Sequence, residues 1–202
     1  MNRIPMVDTI TMSEKQKKVF DDIVSGPRGR LVGPLRVVLH NPDLADVWQQ
    51  FGASLRYFTS VPRKLSELAI LVTARRWNSP VEWCVHSVEA QKAGLSAEVI
   101  NELGKGMLPE FDSREEALVY EFVRSMQETG QVSDFVYEMV REFLGESGIM
   151  ELSSISGYYT LVAVTLNVHA VPLPEGVVEA VLPEINEGAG LTCLPPLDLD
   201  QN

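Results

Sequence analysis

Apolar positions recur at helical spacing along nearly the whole chain, and no segment alternates convincingly with period two. Ser13-Glu14-Lys15-Gln16 fits a capping box, after which Val19, Phe20 and Ile23 share one side. Gly26-Pro27 ends that helix, and Gly33-Pro34 breaks the chain again before Leu35 to His40. Asn41-Pro42 caps a helix that carries Leu44, Val47, Trp48, Phe51 and Leu55 to about Tyr57. From about Pro62 the pattern changes. Leu68 to Ala74 is almost entirely apolar, which predicts a helix buried on most sides. Ser79-Pro80-Val81-Glu82 opens the next helix as a second capping box, and Ala93-Gly94 closes it. Ser96 to Leu103, a helix from Ser113 to Gly130, one from Ser133 to Gly145 and a long apolar one from Ile149 to His169 complete the pattern. The expected fold is all-α, with about seven or eight helices.

Beyond Ala170 the helical period is lost. Pro172, Pro174, Pro183, Pro195 and Pro196 punctuate the remainder. The expected organisation is one all-α domain over 1–170. An extended Pro-rich tail over 171–202, with at most a short turn around Val177 to Val181, packs on that domain or on a neighbouring subunit.

Charge narrows the partners. Lys plus Arg total 17 against 28 Asp plus Glu, a net charge of −11, so neither nucleic acid nor an anionic membrane is expected as the main partner. No uninterrupted apolar run of ~18 residues suggests a membrane span, and Met1 to Ile10 lacks the features of a signal peptide. Two cysteines and three histidines exclude an all-cysteine zinc site and a disulfide framework. A cytoplasmic protein with reduced thiols is expected.

The densest chemistry lies between Glu67 and Glu89. Glu67 precedes the apolar run, where a carboxylate must find a partner or have its pKa raised. An i,i+4 pair with Arg63 is the bland alternative. Glu82 and His86, four apart, share a helix face, and Glu89 extends the stripe. A carboxylate beside an imidazole suits proton transfer, because it fixes the tautomer and raises the ring's basicity. Glu82 could equally be only the reciprocal capping residue, and His86 a packed ring. Trp83 is expected in the core or as a pocket wall. Cys84, two residues from both Glu82 and His86, points away from them. Cys193 lies in the tail and has no assigned role. Arg56 is a candidate anchor for a substrate carboxylate, beside Tyr57. His40 and His169 stand next to helix ends, where either could line a site. No Gly-rich phosphate loop, nucleophile elbow, His-Glu-x-x-His or Cys-x-x-Cys is present.

Leu65-Ser66-Glu67-Leu68-Ala69-Ile70-Leu71-Val72, then Glu82-Trp83-Cys84-Val85-His86, Ala90 and Ala93-Gly94-Leu95-Ser96, resembles the carboxymuconolactone decarboxylase-like proteins of the alkylhydroperoxidase D-like superfamily. The resemblance covers residues 63–97 well and extends more loosely to Gly33-Pro34, His40 to Ala45, and Tyr159 to Asn167. It implies an all-α bundle that assembles into homo-oligomers, trimers or hexamers, with a site near the subunit interface. Aligning His86 with the histidine of the peroxidase branch places Ser79 and Glu82 where that branch has its two cysteines, and Glu67 at its glutamate. Disulfide-cycling peroxidase chemistry needs two thiols that this motif lacks. The decarboxylase branch keeps Glu-Trp-x-x-His, as here, although Val81 stands where a tyrosine commonly precedes the Glu.

The function expected is a cofactor-free lyase-type enzyme. It would catalyse decarboxylation or a related proton transfer on a small carboxylated or lactone-like ring compound, through an enolate-like intermediate. His86, Glu82 and Glu67 are the expected catalytic residues, with Glu82 orienting His86 and Glu67 either a second acid/base or the group that holds His86 in its tautomer. Arg56, Trp83, His40 and Tyr57 are the expected substrate contacts. One alternative is a metal site of Glu67, Glu82 and His86 with His169 or His40. Another is a non-catalytic oligomeric binding protein.

Overall fold

The computed structural model describes residues 3–31, 33–174, 182 and 191–198. Among these the secondary structure is entirely helical, in eight elements. They are α1 (Glu14–Ser25), α2 (Gly33–Val38), α3 (Pro42–Tyr57), α4 (Arg63–Arg76), α5 (Pro80–Lys92), α6 (Ala97–Gly104), α7 (Arg114–Thr129) and α8 (Asp134–Val168). The turn expected around Val177 to Val181 lies outside the described residues.

Local sequence explains most boundaries. At α1 the Ser13 hydroxyl accepts from the Gln16 N–H, and the Gln16 side chain accepts from the Ser13 N–H. Asn41, Ser96, Ser113 and Ser133 cap α3, α6, α7 and α8 in the same way, each accepting from a backbone N–H three residues on. Gly130 ends α7 with φ 74°, a left-handed conformation in which glycine avoids a Cβ clash. Gly33-Pro34, expected as a break, instead opens α2, because proline suits a first helical turn.

The two helices expected on either side of Gly145 are both present, as the two parts of α8, which meet at a kink where Gly145 takes the non-helical φ 69° and ψ 178°. That conformation is open essentially to glycine alone. The helix is also long and apolar enough, by length and composition, to cross a membrane, which differs from the sequence-based expectation. Half of its most apolar window is buried, and it packs on α4 and α7, so its apolar character is that of a core helix.

The core is organised around α4. Every residue from Leu65 to Ala74 is buried, as the continuous apolar run predicts, and so is Arg75. Helices α5, α6, α7 and α8 pack directly on α4. Fully burying one aliphatic side chain contributes about 1.5–3 kcal/mol, so this single segment is a large share of the driving force. The turn after α4 depends on Asn78, which takes φ 47°. Asparagine tolerates this left-handed conformation better than most residues. Its Oδ1 accepts from Arg75 Nη1 and from Thr192 Oγ1.

Residues 191–198 return to the bundle. The Thr192 N–H donates to the Arg76 carbonyl at 2.9 Å, and Arg76 Nη1 donates to the Thr192 carbonyl at 3.0 Å. Tyr120 Oη donates to the Pro195 carbonyl at 2.7 Å, the Leu197 N–H donates to Glu121 at 2.9 Å, and Leu194 is buried.

Candidate active site

Helices α4 and α5 bring the acid/base residues together. Glu67 is fully buried on α4, and His86 on α5 is 4% exposed. Their contact is direct, with His86 Nδ1 2.6 Å from Glu67 Oε2. The other Glu67 oxygen pairs with Arg63 at 2.7 Å, so the i,i+4 pair and the histidine contact exist together. Arg63 also reaches Glu89 at 3.3 Å, so Glu67 and Glu89 share one guanidinium, and Glu89 pairs in turn with the exposed Lys92.

Burial lowers the pKa of His86, against the opposing pull of Glu67. A neutral ring then donates its Nδ1–H to the Glu67 carboxylate, and Nε2 keeps its lone pair. Among the described residues Nε2 has no protein partner. Tyr159 fixes the ring edge-on, with centroids 4.9 Å apart and planes at 84°.

Glu82 differs from expectation. Ser79 occupies the cap position of α5 but makes no side-chain cap bond, and its hydroxyl is buried without a partner. The second capping box is therefore not formed. Glu82 does not bond His86 either: it is 2% exposed, and neither carboxyl oxygen has a hydrogen-bond partner. Burial raises its pKa well above the ordinary carboxylate range, which favours the undissociated acid. A buried polar group left without a partner costs about 1–3 kcal/mol. Such a group works against stability, and groups of this kind concentrate at functional sites.

Glu82 and His86 both line a cavity of about 630 Å³. Val81, Val85, Tyr158, Tyr159, Val162 and Leu166 line it, together with residues 28, 30, 31, 33–36 and 171–174. Arg56 and Tyr57 line it as expected. The Arg56 guanidinium sits 5.6 Å from the centre of the Tyr57 ring. Burial opposes its charge, but Tyr159, Tyr57, Glu67 and Glu89 outweigh that and hold its pKa above the ordinary value.

The other expected contacts lie elsewhere. Trp83 is buried against Gly104, where an added Cβ would meet its ring at 2.9 Å, and it lines a separate groove between α5 and α6. His40 is exposed, with Nε2 2.8 Å from the Pro5 carbonyl. His169 is the C-cap of α8. Cys84 is half-buried and is not among the cavity residues, and Cys193 is exposed with Sγ 3.6 Å from Arg76. Among the described residues no three His, Cys, Asp or Glu side chains group as metal ligands.

Arg28, Tyr158 and Tyr159 are among the cavity residues that carried no site assignment from sequence. The two tyrosines stand in the apolar pattern of α8 and read there as core. Arg28 stands in a Gly-Pro-Arg-Gly turn, whose only legible property is that it ends a helix.

The bundle defines the class: this chain has the alkylhydroperoxidase D-like all-α fold. Solved structures share it at low identity. A peroxidase-related protein from Silicibacter sp. TM1040 superposes with a TM-score of 0.69 at 12% identity, over 86% of this chain and 92% of that one. The debrominase Bmp8, solved in complex with 2,3,4-tribromopyrrole, gives 0.69 at 11% identity, over 87% and 95%. The alkylhydroperoxidase AhpD core of a peroxidase-related protein from Ralstonia eutropha JMP134 gives 0.69 at 12%, over 86% and 93%. No family model and no curated protein matches the sequence.

Proposed function

We propose that this cavity is the active site of a cofactor-free lyase-type enzyme. It acts by decarboxylation, or a related proton transfer, on a small carboxylated or lactone-like ring compound. The observation that carries the reading is Glu82: a buried carboxyl group with both oxygens unpartnered, lining the same cavity as a histidine whose Nδ1 is tied to Glu67.

The chemistry follows from the protonation states. Arg56 anchors a substrate carboxylate. In decarboxylation a carbon–carbon bond breaks, CO2 leaves, and the electron pair passes into an adjoining carbonyl as an enolate. Glu82 hydrogen-bonds that oxygen, then transfers its proton to carbon and is reprotonated from solvent. Where a C–H proton is lost instead, neutral His86 accepts it at Nε2, and Glu67 stabilises the imidazolium that forms. Peroxide reduction receives no support from the cavity, since neither cysteine lines it. That Bmp8 binds a bromopyrrole within this fold supports a ligand of single-ring size. A purely structural role would leave the cost of Glu82 without a return.

The chain acts as a homo-oligomer, a trimer or hexamer, in this reading. Exposed Leu44, Val47 and Phe51 on α3, with Met150 and Leu161 on α8, supply apolar faces for it.

The test is direct. Cyclic keto acids and carboxylated lactones are incubated with the protein in D2O, with CO2 release and deuterium incorporation followed together. Turnover of at least one compound, lost in both His86→Asn and Glu82→Gln, is expected. Turnover unchanged in both variants removes the assignment.

A further inference from the structure

Among the described residues Arg75 is the largest side chain that the bundle buries completely, at 0% exposure. It lies at the end of α4, one residue before Arg76. The two neighbours are held differently. Arg76 donates to the Thr192 carbonyl at 3.0 Å and pairs with Glu128 at 2.9 Å. Arg75 has no carboxylate partner among the described residues. Its Nη1 donates to Asn78 Oδ1, while Nε and Nη2 are shielded from solvent and have no hydrogen-bond partner. Burial alone lowers its pKa, to about 10, so the guanidinium stays charged at neutral pH.

Nε and Nη2 carry the parallel N–H bonds of one edge of the guanidinium plane, so both point at one acceptor position. The dipole at the C-terminal end of α4 favours a cation there, yet it leaves this edge without an acceptor. Scarcity of acids is not the reason, since the chain carries 28 Asp and Glu. The same turn holds a second orphan, the hydroxyl of Ser79, which is also fully buried and unpartnered. The returning C-terminal segment meets this turn, where the buried Thr192 donates to the same Asn78 Oδ1 at 2.7 Å. None of Arg75, Asn78, Ser79 and Thr192 lines the cavity of Glu82 and His86. A water molecule would satisfy the two donors but leave a buried charge uncompensated, which is costly.

We propose that the free edge of Arg75 binds a small monovalent inorganic anion of halide size, enclosed between the end of α4, the Asn78-Ser79 turn and residues 191–194. Two convergent N–H donors suit a spherical acceptor, and complete burial suits an ion taken up as the chain folds rather than an organic acid. The anion fixes the guanidinium, and through Asn78, which Arg75 and Thr192 share, it holds the returning segment in place. This site is independent of the proton-transfer reading.

The probe is bromide. The full chain is melted in mixtures of sodium gluconate and sodium bromide at constant ionic strength. General salt effects lower the midpoint as bromide replaces gluconate. Binding to the folded chain should raise it instead, by about 3–6 °C at bromide tenfold above its dissociation constant. Arg75→Met should show only the fall. Wild-type crystals grown in bromide should show anomalous scattering between Arg75 Nε and Nη2, a readout that needs no variant. A wild-type midpoint that only falls overturns the proposal, as does a rise that Arg75→Met retains. Crystals with a water at that position, or with an adventitious ion only, on exposed arginines, overturn it equally.

Discussion

The Nδ1 of His86 lies 2.6 Å from the Oε2 of Glu67, across a separation of 19 residues and between two different helices. The carboxylate that orients the histidine therefore comes from α4, not from the neighbouring turn of α5. Glu82, one turn before His86, makes no hydrogen bond to the ring.

This division of labour predicts unequal losses. His86→Ala should lower turnover by about 10²–10⁴-fold, as expected for a positioned acid/base. Glu67→Gln keeps a hydrogen-bonding group beside the ring but loses the charge that stabilises an imidazolium. It should lower turnover less and shift the basic group seen in the pH–rate profile downward. Steady-state kinetics across pH checks both, and an unmoved profile in Glu67→Gln argues against the orienting role.

Glu82 should make the fold sensitive to alkali. Its folded pKa is raised well above 4.5 by burial, so stability is greatest below the unfolded value and is lost as pH rises toward the folded one. Glu82→Gln cannot ionise. Its thermal midpoint should match the wild type near pH 4 and exceed it increasingly toward neutral and alkaline pH. Burial lowers the pKa of His86 below 6.5, so its contribution has the opposite sign and is lost as pH falls through that region. His86→Asn should therefore lessen destabilisation in mild acid. Melting curves over a pH series separate the two.

Gly52 should tolerate no side chain. The methyl of Gly52→Ala would meet Tyr158 Oη at 2.0 Å and Arg28 Nη2 at 2.6 Å, so both must move. Overpacking of this kind costs about 1–3 kcal/mol, measurable by urea unfolding. An alanine variant of wild-type stability would show that the packing around Gly52 is looser than described.

The returning C-terminal segment should loosen when its tether is cut. Tyr120→Phe removes only the hydroxyl that donates to the Pro195 carbonyl at 2.7 Å. A single such bond contributes about 0.5–1.5 kcal/mol. The expected outcome is a small loss of global stability, with faster proteolysis within residues 191–198. Equal cleavage rates in variant and wild type would count against the tether.

The proposed assembly should depend on the apolar row of α3. Val47 is 67% exposed, and Val47→Glu places a charge on that face. The mass measured by light scattering should fall from that of an oligomer toward that of one chain.

The helices were legible because their signals are local. The capping box at Ser13, the Asn41-Pro42 start, the Ser96, Ser113 and Ser133 caps and the Gly130 stop are each satisfied within a few residues, by backbone groups that every helix leaves open. The burial of α4 was equally plain, since an apolar run without a polar face has nowhere to go but the core. Glu67 and His86 stood out for a related reason, as a carboxylate and an imidazole placed where water is scarce.

Pairing followed a different rule. Ser79-Pro80-Val81-Glu82 satisfies the pattern of a capping box, yet the box is absent, because packing buries both side chains away from the backbone they would cap. Arg28, Tyr158 and Glu82 come from a turn and two helices, and their meeting depends on how α3, α5 and α8 cross. The linear order of residues encodes which segments become helical and which faces are apolar, since those follow from short-range sterics, hydrogen bonding and solvent avoidance. Which carboxylate holds the imidazole, which one stays unpartnered and which arginines share its cavity were settled by packing, because such contacts join residues distant in the chain and depend on the shape of the whole bundle.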